Sequence, residues 1–284
     1  MNYSDITIGI VTYKSESVIF NCLKSIKKIK KIIIFDNSND SNLKYIVKKK
    51  YPNIRFELSK QNLGYGAGNN SILKLSSTPY VLILSPDTIL RNNTEHELLK
   101  AIKKKKKEFS IMAPLAKENN FGNFTKKVIN KKKESFEVDY VKGFAMLFDK
   151  DKIKKIGMFD DNIFLYLEEI DLCKRLRSKN EKIYICKKSK ITHLGAKSSN
   201  IGFEYEKCRN WHWMWSQVYF DKKFYNNFYV YKKHSIQLIS NFLKIFIFAL
   251  LLNRKKTIIF YLRFSGILNS LLGKKSWYRP KKIF

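Results

Sequence analysis

Short unbroken apolar runs alternate with amphipathic stretches through the first two thirds of the chain. Ile6, Ile8, Ile10 and Val11 read as a buried strand, and Ser15 or Ser17 can cap a helix that continues to about Ile29. IIIFD ends a second apolar run at Asp36. A third run, Ile54 to Leu58, leads into NLGYGAGNN and a helix through Leu75. Tyr80 to Leu84 forms a fourth, closed by Ser85-Pro86-Asp87-Thr88, before a helix from Thr94 to Lys107 and a strand from Phe109 to Ala113. Strands alternating with helices predict an α/β fold with a mostly parallel sheet, flanking helices and right-handed crossovers. Ligands of such sheets sit beyond the carboxyl ends of the strands, where Asp36 and Asp87 both lie.

The later pattern is less regular. Asn119 to Ser135 is polar and lysine-rich, as in a surface loop or edge hairpin. DYVKGFAMLFDK predicts a strand with Gly143 at its centre, either a plain bulge or a place where backbone approaches a ligand. Leu172, Cys173 and Leu176 have helical spacing, and the helix that carries them begins near Glu168. Lys182 to Cys186 and Lys190 to His193 read as two short strands. From Ile201 the composition turns aromatic and apolar, which sets a helical appendage, 201–284, apart from a catalytic domain, 1–200. Its stretch from Ile236 to Leu252 is interrupted by Gln237, Asn241 and Lys244, and the unbroken part falls short of the ~20 residues that span a bilayer.

Charge narrows the partners. The 284 residues carry a formal net charge of +32, almost all from lysine, which favours anionic ligands and surfaces. Nucleic-acid readout favours arginine, which is scarce, and the lysine runs Lys48 to Lys50, Lys103 to Lys107 and Lys131 to Lys133 read as solvated faces; no nucleic-acid partner is expected. Cys22, Cys173, Cys186 and Cys208 are scattered in apolar segments without a CxxC pair, as in reduced thiols of a reducing compartment. The first residues show no signal-peptide pattern.

Each chemical signal has a plainer reading beside it. Glu168, Glu169 and Asp171 suit a helix start, where free N–H groups favour acids, and Asp171 can pair with Arg175 one turn on. The same acids can supply a general base, since adjacent carboxylates raise one pKa. Asp87 is either a turn residue after Pro86 or a ligand for a cation bridging a diphosphate. Asp36 is either a loop cap or an acceptor for a nucleobase or ribose. Gly64, Gly66 and Gly68 resemble a dinucleotide fingerprint. That fingerprint follows a first strand, however, and TYKSES occupies this position, which argues against a nicotinamide enzyme. The glycines can still let backbone lie close to a nucleotide sugar. His193 is either structural or a metal ligand.

Together VTYKS, IIIFDNSND, NLGYGAGNN, ILSPDT, VKGFAMLF, IGMFDDNIFLYLEEIDLCKRL and THLGAKS stand in one order over Ile6 to Ser199. In this the chain resembles the family 2 glycosyltransferases of GT-A fold, in particular their bacterial rhamnosyltransferase-like branch. The resemblance implies an inverting transfer of a sugar, with L-rhamnose the branch's donor sugar, from a dTDP- or UDP-linked donor to a saccharide or lipid-linked saccharide. Asp36 maps to the base-contacting acid, and Ser85-Pro86-Asp87 to an Asp-x-Asp metal motif whose first acid is absent. Asp87 and His193 are then the ligands of Mg2+ or Mn2+. Glu169 maps to the base, with Glu168 and Asp171 beside it. Thr12, Asn62, Gly64, Gly68, Asn69, Ser85 and Gly143 fall in the donor-binding motifs. The resemblance also implies work on the cytoplasmic face of the cell membrane. The appendage fits this, because Trp211, Trp213, Trp215 and the stretch Phe242 to Leu252 lie among lysines and arginines. Its alternative is a helix packed in a core or in a homodimer interface. Competing functions are a nucleotidyltransferase, which needs no base at Glu169, and a basic nucleic-acid-binding protein.

Overall fold

The apolar runs become the centre of a sheet covered on both faces. The computed structural model describes residues 1–105, 108–116, 124–125, 134–195 and 202–279. The strands are β1 (Ile6–Thr12), β2 (Lys31–Asp36), β3 (Arg55–Leu58), β4 (Tyr80–Leu84), β5 (Thr88–Leu90), β6 (Ile111–Ala116), β7 (Phe124–Thr125), β8 (Ser135–Glu137), β9 (Tyr140–Val141), β10 (Ala145–Asp149) and β11 (Ile183–His193). The helices are α1 (Glu16–Ser25), α2 (Ser41–Lys50), α3 (Tyr65–Leu75), α4 (Thr94–Lys105), α5 (Lys150–Ile156), α6 (Glu168–Arg177), α7 (Phe203–Phe224), α8 (Asn227–Leu250) and α9 (Arg254–Leu271). The chain divides into two compact units, Met1–Asp160 with Glu169–Asn200, and Asp161–Glu168 with Ile201–Phe284.

In the first unit the main sheet runs β3-β2-β1-β4-β10-β6-β11-β5, with β8 also paired to β11. The first four strands are mutually parallel. β10 lies antiparallel between β4 and β6, whereas β6 and β11 are parallel. This is the mixed, mostly parallel sheet expected of an α/β chain. Every residue of β1 and β4 is buried, the behaviour of strands covered on both faces. Alternation then sorts the side chains: Ile8, Ile10, Leu82 and Leu84 fill one core, and Val11, Ile33, Val81 and Ile83 the other.

Several local expectations change. Gly143 is not in the middle of a strand; β9 stops at Val141 and β10 starts at Ala145, with a turn between. The two strands expected over Lys182 to His193 are one, β11, with a register shift between Cys186 and Lys190 that buries Ser189. α1 ends at Ser25, short of Ile29. Most of the polar stretch from Asn119 lies outside the described residues, although β7 pairs antiparallel with β9. Buried Glu95 accepts the backbone N–H groups of Lys27, Lys28 and Ile29, fixing the loop into β2.

The second unit is built on α7, α8 and α9. Trp211 and Trp215 are buried and pack with Leu262, and only Trp213 of the cluster is exposed. Two of the three tryptophans therefore serve a core. α7 and α9 approach closely at Gly266, where a Cβ would lie 2.5 Å from the Trp211 carbonyl oxygen. His212 bonds through Nε2 to the Tyr278 carbonyl, and burial pushes its pKa down to about 3, so it is a neutral core residue. α8 has the opposite character: Ile236, Ile239, Phe242, Leu243, Phe246 and Ile247 are exposed. Among the described residues no helix is long and apolar enough to cross a membrane.

Candidate functional site

The carboxyl ends of β1, β2 and β4 bring three predicted residues to one edge of the sheet. The parallel register pairs Thr12 with Asp36. Asp36 is fully buried and accepts hydrogen bonds from Thr12 Oγ1 at 2.7 Å, from Ser38 Oγ through both oxygens at 2.8 and 2.9 Å, and from the Asp40 N–H at 2.9 Å. Three donors thus hold the carboxylate, the single Ser38 hydroxyl hydrogen being shared between its two oxygens. Asp36 thus holds the 36–40 loop in place.

The glycine-rich stretch sits against that loop. Asn37 Nδ2 donates to the Gly64 carbonyl, Asn37 Oδ1 accepts from the Leu63 N–H, and Asn62 Oδ1 accepts from the Gly64 N–H. Gly64 has φ +87° at the cap of α3, a conformation that favours glycine. Gly68 has a packing reason, since a Cβ there would stand 2.9 Å from Val11 Cγ1. Asn69 donates from Nδ2 to the Tyr65 carbonyl, while its buried Oδ1 accepts nothing among the described residues.

Asp87 and His193, 106 positions apart in sequence, meet through β5 and β11, whose antiparallel register sets His193 opposite Thr88. His193 Nε2 lies 3.4 Å from Asp87 Oδ1, and Ser85 Oγ donates to the same oxygen at 2.6 Å. Burial alone would push the Asp87 carboxyl up, but the bonds from His193 and Ser85 and the imidazole's charge hold it below its usual range. Among the described residues no third His, Cys, Asp or Glu completes a cluster with them.

The turn Lys142-Gly143-Phe144 links these elements to the acidic helix. The Phe144 carbonyl accepts the Ser85 N–H at 2.8 Å and Thr88 Oγ1 at 3.1 Å, and its ring stacks on His193 with centroids 4.2 Å apart. Tyr65 Oη, from the start of α3, donates to the Gly143 carbonyl. A Cβ at Gly143 would lie 3.3 Å from the Tyr65 ring and 3.8 Å from Glu169 Cβ and Cδ. A side chain here would press on the Tyr65 ring and come into ordinary contact with Glu169.

Of the three acids, Glu169 has a carboxyl whose pKa is raised. Part of its surface is accessible, yet its carboxyl lies among protein atoms. Burial raises its pKa beyond what the backbone N–H groups of Glu169, Gly143 and Ile170 and the charge of Lys142 can offset. Asp171 is committed elsewhere: it pairs with Arg175 at 2.7 Å, whose other nitrogens hold the Ile156 and Met158 carbonyls. Glu168 is buried and belongs to the second unit. Just before it, Tyr166 (φ +70°) and Leu167 (φ +68°) are consecutive left-handed residues, which no sequence signal announces. Such conformations cost on the order of 1–3 kcal/mol each and cluster at functional sites.

Comparison with known proteins agrees with this geometry. Residues 7–164 match glycosyl transferase family 2. The chain is 28% identical over 202 residues to the low-salt glycan biosynthesis hexosyltransferase Agl10 of Haloferax volcanii, a match covering 64% of each chain. Its fold is that of the mannosyltransferase PcManGT from Pyrobaculum calidifontis, solved with GDP-Man and Mn2+ (TM-score 0.59, 12% identity, 95% of this chain and 88% of that one). It is likewise similar to S. aureus TarS 1–349 (TM-score 0.55, 14% identity, 98% and 93%). Glu169 and His193 lie beyond the matched stretch, but the Lys142–Phe144 turn that gathers them is inside it, with Asp36, Gly64 and Asp87. A match over more than half the sequence, on a sheet of the same fold, makes the chain a member of glycosyl transferase family 2.

Proposed function

We propose that the chain transfers a sugar, with inversion, from a nucleotide diphosphate donor to a hydroxyl of a glycan or lipid-linked saccharide. The observation that carries this reading is the Lys142–Phe144 turn, which touches Glu169 on one side and braces Ser85, Thr88 and His193 on the other. Glu169 takes the proton of the acceptor hydroxyl. The oxygen attacks the anomeric carbon as the bond to the diphosphate oxygen breaks, and the nucleoside diphosphate leaves with the electron pair. Thr12, Asp36 and Asn62 shape the nucleoside end, and Ser85 orients Asp87. Asp87 and His193 fit a divalent cation, Mg2+ or Mn2+, which commonly binds few protein ligands and completes its shell from substrate phosphates and water. Such an ion, when bound, supplies charge neutralisation at the leaving diphosphate.

L-rhamnose carried on dTDP is the donor we infer, from the branch that the motifs resemble. Calorimetric titration with dTDP-rhamnose and with UDP-, GDP- and dTDP-hexoses tests it. Tightest binding of dTDP-rhamnose, with transfer to a saccharide acceptor, is expected. Tight binding of a UDP-sugar and none of dTDP-rhamnose overturns the donor, and binding of no nucleotide sugar overturns the function.

We infer the place of action from α8. Its exposed apolar face ends in Leu250, Leu251 and Leu252, which are 84%, 67% and 87% exposed, and Arg254, Lys255 and Lys256 follow after Asn253. An apolar tip with a basic rim suits an anionic bilayer surface, where each lysine or arginine contributes roughly 1 kcal/mol. The protein is expected to sediment with phosphatidylglycerol vesicles more than with phosphatidylcholine vesicles, and less at high salt. Leu250→Ser, Leu251→Ser and Leu252→Ser together should release it. Equal sedimentation of this variant, or concentration-dependent homodimerisation through α8 without vesicle binding, retires the membrane role.

A further inference from the structure

The second unit holds a cleft of about 400 Å³ lined by Tyr166, Glu206, Arg209, Asn210, Trp213 and Arg263. Its chemistry stands out in this chain, where only eight of the 56 basic residues are arginine and two of those eight line one cleft. Arginine differs from lysine in its rigid, planar fork of donors, which matches phosphate. Arg209 is fixed by Nε donation to Tyr166 Oη at 2.5 Å and by the faces of Tyr166 and Tyr205, 5.9 and 5.1 Å from its guanidinium. Arg263 donates through Nε to Asn210 Oδ1 at 2.6 Å. Both are half-buried. Among the described residues neither is ion-paired with a carboxylate, and the terminal Nη nitrogens of both make no hydrogen bond. Glu206, exposed on the same cleft, acts on Arg209 only from beyond ion-pair distance, and two oriented, partly desolvated cations held this way are relieved by an anion.

The other lining groups suit a sugar. Trp213 is 42% exposed, and its indole meets Tyr166 edge-on with centroids 5.4 Å apart, which fixes the ring while leaving surface open. An exposed aromatic of this kind offers a platform for apolar C–H surface, and exposed Glu206 can accept from hydroxyls. Tyr166 precedes Glu169 by three residues, so the chain itself keeps their Cα atoms within about 11 Å of each other. The strained pair Tyr166 and Leu167 occupies the same span.

We propose that this cleft is an acceptor subsite that takes a saccharide through its phosphate ester, with Arg209 and Arg263 on the phosphate and Trp213 against the sugar. The proposal deepens the glycosyltransfer reading and rests on it for the word acceptor, whereas the binding it predicts requires no turnover.

The test follows the Trp213 indole N–H resonance of the full chain, assigned with Trp213→Phe, during titration with glucose 1-phosphate, inorganic phosphate and methyl glucoside. Glucose 1-phosphate should shift this resonance at a concentration roughly tenfold below either of the others, as expected when a bidentate arginine contact adds to a sugar contact. Arg263→Gln should raise its apparent Kd by about tenfold and Arg263→Lys by less, since lysine keeps the charge and loses the fork. Binding of dTDP, read by calorimetry, should stay within about twofold in both variants, and their melting temperatures report that the fold is intact. Equal affinity for inorganic phosphate and glucose 1-phosphate makes the cleft an anion site only and overturns the proposal. So does unchanged glucose 1-phosphate binding in Arg263→Gln, or no response of Trp213. Loss of dTDP binding in step with glucose 1-phosphate reassigns the arginines to the donor and overturns the acceptor subsite. Failure of the wild type to bind any nucleotide while glucose 1-phosphate still binds overturns the glycosyltransfer reading and leaves the cleft standing.

Discussion

Glu169→Gln is expected to lower kcat by ~10² or more with little change in donor affinity, because it removes basicity and keeps shape. The acid that abstracts the proton works in its ionised form. Since burial holds the Glu169 pKa above its ordinary value of 4.5, wild-type turnover should fall as pH drops through an inflection higher than that of a free carboxylate. The same shift makes a statement about stability. Between the ordinary and the raised pKa the folded protein keeps a proton that the unfolded chain has lost. Stability therefore decreases as pH rises through that window and stays lower above it. Glutamine carries no charge to desolvate, so the variant should melt at or above the wild-type temperature at neutral pH. An inactive enzyme that is more stable separates a base from a structural acid. Near wild-type turnover would remove the assignment and direct attention to Glu168, because Asp171 is held by Arg175.

Asp87→Ala should weaken kcat/KM by ~10²–10³, the usual consequence of losing one element that stabilises charge on a leaving group. It also leaves His193 and Ser85 without the oxygen they share, so part of the effect is local disorder of the pair. Asp87→Asn separates the two contributions, since it keeps an acceptor and loses the charge. Its activity should need more Mn2+ than the wild type, whereas a purely structural role would leave the metal dependence alone. Full wild-type activity in excess chelator would end the cation role of Asp87 and His193 together.

What the amino-acid pattern conveyed depended on whether local signals and tertiary context agreed. Tyr80–Leu84 is found where the apolar run places it, because a strand buried on both faces has few other ways to read. Helix α2 carried a weak signal: SNLKYIVKKK buries only Leu43 and Val47, one turn apart, beneath a lysine-rich surface. The tryptophans of α7 show the limit of composition, since clustered aromatics look alike in a core and at a membrane, and only packing against α9 distinguishes them. Asp36 and Asp87 could be picked out as carboxylates at strand ends, but the meeting of Asp87 with His193 depends on the pairing of β5 with β11. Gly143 was legible as a glycine with a purpose and not as a turn. The cleft residues Arg209 and Arg263 lie 54 positions apart on different helices, and the scarcity of arginine was the one sequence signal that could have singled them out.

The stretch Asp161–Glu168 lies in the middle of the sequence but is held by the C-terminal unit. Arg279 lies over the Phe164 ring at 3.7 Å, His212 packs on that ring at 4.5 Å, and Ser216 Oγ donates to the Leu165 carbonyl. The polypeptide thus enters the helical unit, leaves it at the acidic pair and enters again. A chimera that grafts another protein's tail after residue 200 would strand Phe164 and Leu165 without their partners, one turn or less from the acids proposed for chemistry. With the acceptor subsite proposed above, exchange of acceptor preference between relatives would have to carry this eight-residue loop along with the tail. In this architecture the helical unit is two separate pieces of sequence and not a detachable cassette.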